Sequence, residues 1–502
     1  MPAPCAYHVL AVPSAAVKLL CLAALVLVVS CHATPRAPAR SPVLRGRVTV
    51  AASLDAPPAR RRGLLYMYWM TAAEYKATIA GTMGIRGLVL VLERGRVIGT
   101  VDLSAPGASA PYALEVPPGD IVVSAVLDSR RELADTLFGA GGVGNLMADA
   151  KAPARVTASG GTADLALDQV KEAAPPSEAC TGERHHIVTV EAPEVAGAIG
   201  NPTARRACVV LPASYAASPA RRYPVIYDFP GWGATDSTML GHFHHDQLLD
   251  RAAQEIGREA ILVMVDTTTR LGSSYLVDSP VAGAWDTFLA GRLVPIIDAR
   301  FRTVATPAGR ATFGHSTGGY GAISFGFRHP ELFGVVAAAA PDPLDMSAWV
   351  AGGPGGGPIP WMLALLRAED ASGGAGFWAS YSADWSPDPA APRGFVWPVD
   401  PKTGRVRPPV FARWRAHSPT AWLADPARAA AIKAALDGRI YLDAGVRDEF
   451  GLHATTRAFS RALDRAGIQH RFETVRSGHM DDIPPLIGPP LRFCLEKLAP
   501  AS

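Results

Sequence analysis

The sequence predicts an α/β protein, a mostly parallel sheet with helices on both faces, preceded by a small all-β sandwich. Three observations predict it. From about residue 183 onward, apolar runs alternate with helix-like stretches. Between Arg45 and about Val170, short β-type runs follow one another across Gly and Pro turns. A strand runs into a Gly-x-Ser-x-Gly turn and then a helix near the middle of the alternating region.

Composition sets the outer bounds. The 502 residues are 49% hydrophobic and 19% charged, enough apolar material for two or three cores. A net charge of +3, from 48 basic and 45 acidic residues, leaves no electrostatic footprint for nucleic acid. Arg60-Arg61-Arg62 reads as a solvated turn. Six cysteines occur with no Cys-x-x-Cys spacing, which disfavours a zinc or redox centre. A Cys180–Cys208 bridge is open to an exported chain, and spacing alone does not decide it.

Lys18 precedes an apolar run, Leu19 to Val29, the length of a signal-peptide core and short for a membrane span. It ends at Val28-Val29-Ser30-Cys31, which resembles a bacterial lipobox, with Val28 where Leu is commoner. Residues 1–31 therefore read as an export signal, ending at a lipidated Cys31 or cleaved as an ordinary signal. Either reading delivers the protein to the cell envelope, the periplasm or the medium, and any membrane attachment is through that lipid. Residues 32–44 form a Pro/Ala tether.

Residues 45–171 form the β-sandwich, with strands expected at Arg47–Val50, Leu64–Trp69, Gly87–Leu92, Val97–Leu103, Ile121–Leu127 and Thr162–Leu167. Gly139 to Gly144 matches G-x-G-x-x-G but lacks the strand and helix that motif requires, so it reads as a loop. A linker, 172–182, leads to the catalytic domain, 183–502. Its expected strands are Pro224–Phe229, Ala260–Val265, Arg310–Phe313, Val335–Ala339, Arg439–Leu442 and Arg471–Val475. Helices are expected at Ala284–Ile297, Gly319–Phe327, Leu452–Ala466 and at the C-terminus, near Lys497. Open parallel sheets bind ligands at the carboxyl ends of their strands.

The chemistry gathers there. Ala311–Phe313 runs into Gly314-His315-Ser316-Thr317-Gly318 and a helix, the order a nucleophile elbow needs. The flanking glycines keep Cβ atoms out of the tight turn, and the Thr317 N–H at the helix start faces a developing oxyanion. The base should follow an acid later in the chain. Among His453, His470 and His479, only His479 lies in a loop directly after a strand, Arg471–Val475. The acid should follow Arg439–Leu442, where Asp448 reaches farther than Asp443 or Glu449; Asp443 is expected to cap its loop. Pro230-Gly231-Trp232-Gly233 follows an earlier strand, and the Trp232 N–H is the second expected oxyanion donor.

These residues resemble the esterase family of α/β-hydrolases that includes S-formylglutathione hydrolase, enterochelin esterase, feruloyl esterases and mycobacterial mycolyltransferases. The resemblance spans about Arg205 to Leu495 and rests on Tyr223–Gly233, Gly283–Phe288, Leu293–Thr303, Gly314–Gly321, Tyr441–Phe450 and Gly478-His479. It implies an α/β-hydrolase fold, a Ser316–His479–Asp448 triad and cofactor-free ester cleavage. Gly231, His315, Trp285 and His244 are the expected substrate-binding residues. The chain departs from the family in having Pro230-Gly231 for the usual His-Gly and a long insertion, 342–438.

That insertion holds seven of the ten tryptophans, which either line a site or pack a helix-poor cap. His242, His244 and His245 read as loop residues near the site mouth rather than metal ligands. The expected function is an exported serine esterase acting on a small-molecule or polysaccharide-linked ester through an acyl-serine. The alternatives are an acyltransferase to a sugar or other alcohol, and a non-catalytic lipoprotein that grips a surface polymer.

Overall fold

The computed structural model describes residues 41–80, 90–91, 94–129, 145–170, 180–241, 243–372, 376–480 and 483–502. The export segment, the Gly139–Gly144 loop and most of the linker lie outside them. Among the described residues no helix is long and apolar enough to cross a membrane.

Alternation drives the N-terminal part. In Ala110–Glu115 every second residue is buried, the signature of a strand with one face on a core. It pairs antiparallel with Val43–Val50, which also pairs parallel with Leu165–Leu167. A second sheet centres on Gly119–Asp128, flanked by Arg62–Thr71 and Leu146–Asp149, with Arg96–Asp102 outside. The two sheets enclose Leu44, Val48, Leu65, Met67, Leu114, Val123 and Leu127. The first strand begins at Val43, inside the expected tether. The expected strand Gly87–Leu92 is not seen: Leu90 and Val91 are helical and 81–89 lie outside the described residues. Asp164 interrupts the expected Thr162–Leu167 strand, and its carboxylate accepts from the Arg47 N–H at 2.8 Å.

The larger sheet has eight strands, numbered here from its own first: β1 (His185–Glu191), β2 (Ala204–Val210), β3 (Val225–Phe229), β4 (Ile261–Val265), β5 (Arg310–His315), β6 (Val335–Ala339), β7 (Ile440–Gly445) and β8 (Arg471–Val475). Their order is β1-β2-β4-β3-β5-β6-β7-β8. All pairs from β4 to β8 are parallel, while β1 and β2 join antiparallel at one edge. Every residue of β3, β4, β5, β6 and β7 is buried, as strands covered on both faces require. Cys208 of β2 is bonded to Cys180, which pins the end of the linker to the sheet.

Helices cover both faces: α1 (His245–Ile256), α2 (Thr317–Arg328), α3 (Pro360–Ser372), α4 (Phe377–Trp385), α5 (Leu452–Arg465) and α6 (Ile483–Lys497). The expected helix Ala284–Ile297 is three pieces, Trp285–Phe288, a wide π turn at Leu289–Leu293, and Val294–Arg300.

The insertion is helical, contrary to the helix-poor expectation, with α3 and α4 followed by Pro408–Ala416, Pro419–Leu423 and Pro426–Leu436. Its seven tryptophans are all buried. The indole N–H of Trp378 donates to Met362 O at 2.8 Å, that of Trp414 to Ser386 Oγ at 2.9 Å, and that of Trp422 to Ala416 O at 2.7 Å. Rings that bury their area in this way are core residues, although the buried Trp385 Nε1 has no hydrogen-bond partner among the described residues.

That core also holds a carboxylic acid. Asp384 of α4 accepts the Tyr275 N–H at 2.7 Å, its other oxygen has no partner, and burial pushes its pKa up to about 8. The folded state thus keeps a proton that the unfolded chain loses near pH 4, so stability falls as pH rises through that interval. Each unit of it weakens folding by up to about 1.4 kcal/mol from this group. Thermal melts from pH 4.5 to 8.5 should show Asp384→Asn with a shallower decline than the parent; parallel curves would mean that Asp384 is ionised in the core.

Candidate functional site

The carboxyl ends of β3, β5, β6, β7 and β8 meet over one spot. At the end of β5 the chain turns directly into α2, and Ser316 at the corner holds φ 59° and ψ −124°. A non-glycine residue there is strained, and the surroundings must hold it. They do so by crowding and by hydrogen bonds. A Cβ on Gly318 would stand 1.9 Å from Phe229 O, and one on Gly314 would stand 2.3 Å from the Gly318 backbone. The Ser316 N–H donates to Ala339 O at 3.0 Å, and Ser316 O accepts from Tyr320 N at 3.0 Å and Asp342 N at 3.1 Å.

The loop after β8 brings His479 to the corner. Its Nε2 lies 3.0 Å from Ser316 Oγ and its Nδ1 lies 2.8 Å from Asp448 Oδ2. The imidazole is 3% exposed and the Asp448 side chain 0%, so the pair works away from bulk water. Asp448 Oδ1 accepts the N–H groups of Phe450 and Leu452, both at 3.0 Å, and so anchors its own loop and the first turn of α5. Glu449 accepts the backbone N–H of His479 at 2.9 Å. The Phe450 ring meets the imidazole edge-on, centroids 5.0 Å apart. Trp349 and Trp361 of the insertion back that ring, the first donating its indole N–H to Phe450 O at 3.2 Å.

The loop after β3 supplies the remaining wall. A Cβ on Gly231 would lie 3.5 Å from Ser316 Cβ, so this backbone passes beside the nucleophile position. The Trp232 side chain turns away and donates from Nε1 to Ser380 Oγ at 3.3 Å. The Thr317 backbone begins α2, beside Ser316.

Four expected assignments are corrected. Trp285 is fully buried, donates to Ala282 O at 2.9 Å and lies under the Arg205 guanidinium, in a core shared with Tyr227 of β3 and with Ala322 and Phe325 of α2. His315 is buried beneath His479, ring centroids 4.6 Å apart, with Nε2 donating to His479 O at 3.2 Å. Burial, and repulsion from His479 and His245, hold its pKa well below the ordinary range, so it packs against the His479 ring as a neutral imidazole. His244 is an exposed residue with φ 54° that starts α1, and no contact joins it to Ser316. Its neighbour His245 is the engaged one, with Nδ1 2.6 Å from Asp228 Oδ2 in the core; His242 lies outside the described residues. Asp443 caps nothing: it sits inside β7, fully buried, with neither carboxyl oxygen hydrogen-bonded, and burial pushes its pKa well up.

One residue at the corner escaped sequence reasoning. Asp342 follows β6, is 1% exposed, and puts Oδ1 3.4 Å from Ser316 Oγ. Its Oδ2 accepts from Thr317 Oγ1 at 2.8 Å and Tyr381 OH at 2.5 Å. The only local signal is an acid three residues past a buried strand, in Ala340-Pro341-Asp342.

Residues 201–482 match the family model described as "Putative esterase". A stretch of 126 residues is 36% identical to Esterase Rv1288 of Mycobacterium tuberculosis strain H37Rv, and equally to Esterase MT1326 of strain CDC 1551. It covers 24% of this chain and 25% of each relative, so the likeness spans about a quarter of their length. Among solved structures, a ferulic acid esterase is 20% identical, covering 63% of this chain and 99% of its own, with a TM-score of 0.45. An S-formylglutathione hydrolase from Agrobacterium tumefaciens is 15% identical over 64% and 98%, with a TM-score of 0.43. Mycobacterium tuberculosis MPT51 is 14% identical over 63% and 100%, with a TM-score of 0.44. With more than half of its length matched by the family model, the chain belongs to this esterase family of α/β-hydrolases.

Proposed function

We propose that the chain is an exported serine esterase with Ser316 as nucleophile, His479 as base and Asp448 as orienting acid. The observation that carries this reading is one imidazole bridging Ser316 Oγ at 3.0 Å and Asp448 Oδ2 at 2.8 Å. His479 Nε2 takes the Ser316 proton as Oγ adds to the ester carbonyl. Asp448 fixes the tautomer with the proton on Nδ1 and balances the imidazolium charge. The backbone N–H groups of Trp232 and Thr317 receive the oxyanion. The imidazolium then passes its proton to the departing alkoxide. Water, deprotonated by the same base, releases the acyl group and restores Ser316.

Export is supported by the apolar run Leu19–Val29 and by the Cys180–Cys208 disulfide, a bond that persists in oxidising compartments. Lipidation at Cys31 belongs to the same proposal.

Ser316→Ala should cut ester turnover by about 10⁴–10⁶-fold while leaving the melt nearly unchanged. Residual activity above about one part in a thousand would assign the nucleophile elsewhere. For the acid, Asp448→Asn should cost about 10⁴-fold in kcat, since the imidazole then adopts the wrong tautomer. Asp443→Asn should change kcat less than about tenfold, because that side chain is sealed in β7 and touches no part of the triad. The reverse ranking would move the acid onto the strand. Mass spectrometry of the protein from its native host should find an N-terminus at lipid-modified Cys31; an unmodified N-terminus downstream of it would leave a free, secreted enzyme.

A further inference from the structure

Three carboxyl groups surround the reacting corner: Asp448 on His479 Nδ1, Glu449 on the His479 backbone N–H, and Asp342 on Ser316. Among the described residues, none of the three is joined to a Lys or Arg by a hydrogen bond or ion pair. Asp448 has its charge matched by the imidazolium that forms during the reaction. Asp342 makes no hydrogen bond to that imidazole, and the established logic of the triad gives it no task. Its two oxygens are also unequal. Oδ2 is engaged by the Thr317 and Tyr381 hydroxyls, whereas Oδ1 has one long contact, 3.4 Å, to the nucleophile itself.

We infer that Asp342 is a specificity-determining residue whose carboxylate selects acyl groups by charge, favouring a cationic acyl chain and disfavouring an anionic one. This rests on Ser316 being the nucleophile, because the acyl carbon then bonds to the atom that Asp342 Oδ1 faces. An acyl chain on Ser316 begins at an atom 3.4 Å from that oxygen, so a charge a few bonds out lies on the order of 5–10 Å from it. At an effective dielectric constant of about 20, two unit charges at that separation change a rate by tenfold or more. No direct contact is needed, since the field acts through the buried wall. Burial raises the Asp342 pKa, opposed by hydrogen bonds from Tyr381 and Thr317, by the nearby His479 and by Ser316, so the assay belongs at pH 8.

The selection operates beside the scissile carbonyl and is set by the sequence at one position. The insertion contributes through Tyr381 on α4, whose hydroxyl holds Oδ2 and thereby turns Oδ1 toward Ser316. The tryptophans that pack α4 into the insertion core therefore act on substrate choice only through this tyrosine.

Three 4-nitrophenyl esters of one shape test it: 4-(trimethylammonio)butanoate, 5,5-dimethylhexanoate and 4-sulfobutanoate, cationic, neutral and anionic at every working pH. Ser316→Ala, run with all three, separates the two claims, since surviving turnover overturns the nucleophile reading rather than this one. With Ser316 required, the cation-to-anion ratio of kcat/KM in the unmodified enzyme should be at least ten, and Asp342→Asn should lower it by at least tenfold. A ratio of one or less in the unmodified enzyme overturns the inference without any variant. A ratio untouched by Asp342→Asn overturns it as well. Should Asp342→Asn fail to melt cooperatively, Glu449→Gln decides: a ratio that survives leaves Asp342 as its source, and one that collapses assigns the selection to Glu449 and overturns the inference.

Discussion

Ser316 sits in a backbone conformation that only its surroundings make tenable, and the arrangement of the catalytic domain follows from holding it there. The positive φ of 59° turns the chain from β5 into α2 within one residue. Such strain costs about 1–3 kcal/mol and persists only where neighbouring structure over-determines it. Here β3 and α2 approach so closely that neither Gly314 nor Gly318 has room for a Cβ. The backbone of Ala339 in β6 and of Asp342 just past it takes up the Ser316 N–H and carbonyl. The strain is thus met by two adjacent strands and one helix, all buried, and the hydroxyl is delivered at the sheet edge where the loops converge.

The same economy governs the base. His479 lies on a loop, and loops are mobile unless braced. Four contacts brace it: Asp448 at Nδ1, Glu449 at the backbone N–H, the Phe450 edge, and the neutral His315 ring beneath. The insertion stiffens the acid loop through Trp349 and Trp361 and reaches the nucleophile through Tyr381 and Asp342. Removing the insertion would therefore loosen two of the three reacting groups, although it donates none of them.

What was legible in the sequence was what local chemistry writes into consecutive residues. The elbow is contiguous, and His479 and Asp448 each follow an apolar strand at the right edge, so order along the chain predicted their convergence. Short β-type runs broken by Gly and Pro turns revealed the N-terminal sandwich for the same reason. Long-range pairing was not legible. Asp342 meets Ser316 only because β6 lies beside β5, a neighbour relation that periodicity does not encode. Trp285 and His315 stand in motif-rich segments, yet the fold buries one in the core between β3 and α2 and the other against the His479 ring. Asp443 looked like a polar loop residue, but β7 extends to Gly445 and swallows it. The tryptophans could be weighed only once their burial was known, and helix content in the insertion was masked by its Gly and Pro.

The central claim is that Ser316, and no other residue, becomes covalently acylated with His479 poised on its oxygen. Incubating the intact protein with a fluorophosphonate ester and mapping the adduct by peptide mass spectrometry tests it directly. The account predicts one adduct per chain, on the peptide containing Ser316, forming at the rate at which esterase activity disappears. An adduct on a different residue, or complete loss of activity with Ser316 unmodified, would contradict it.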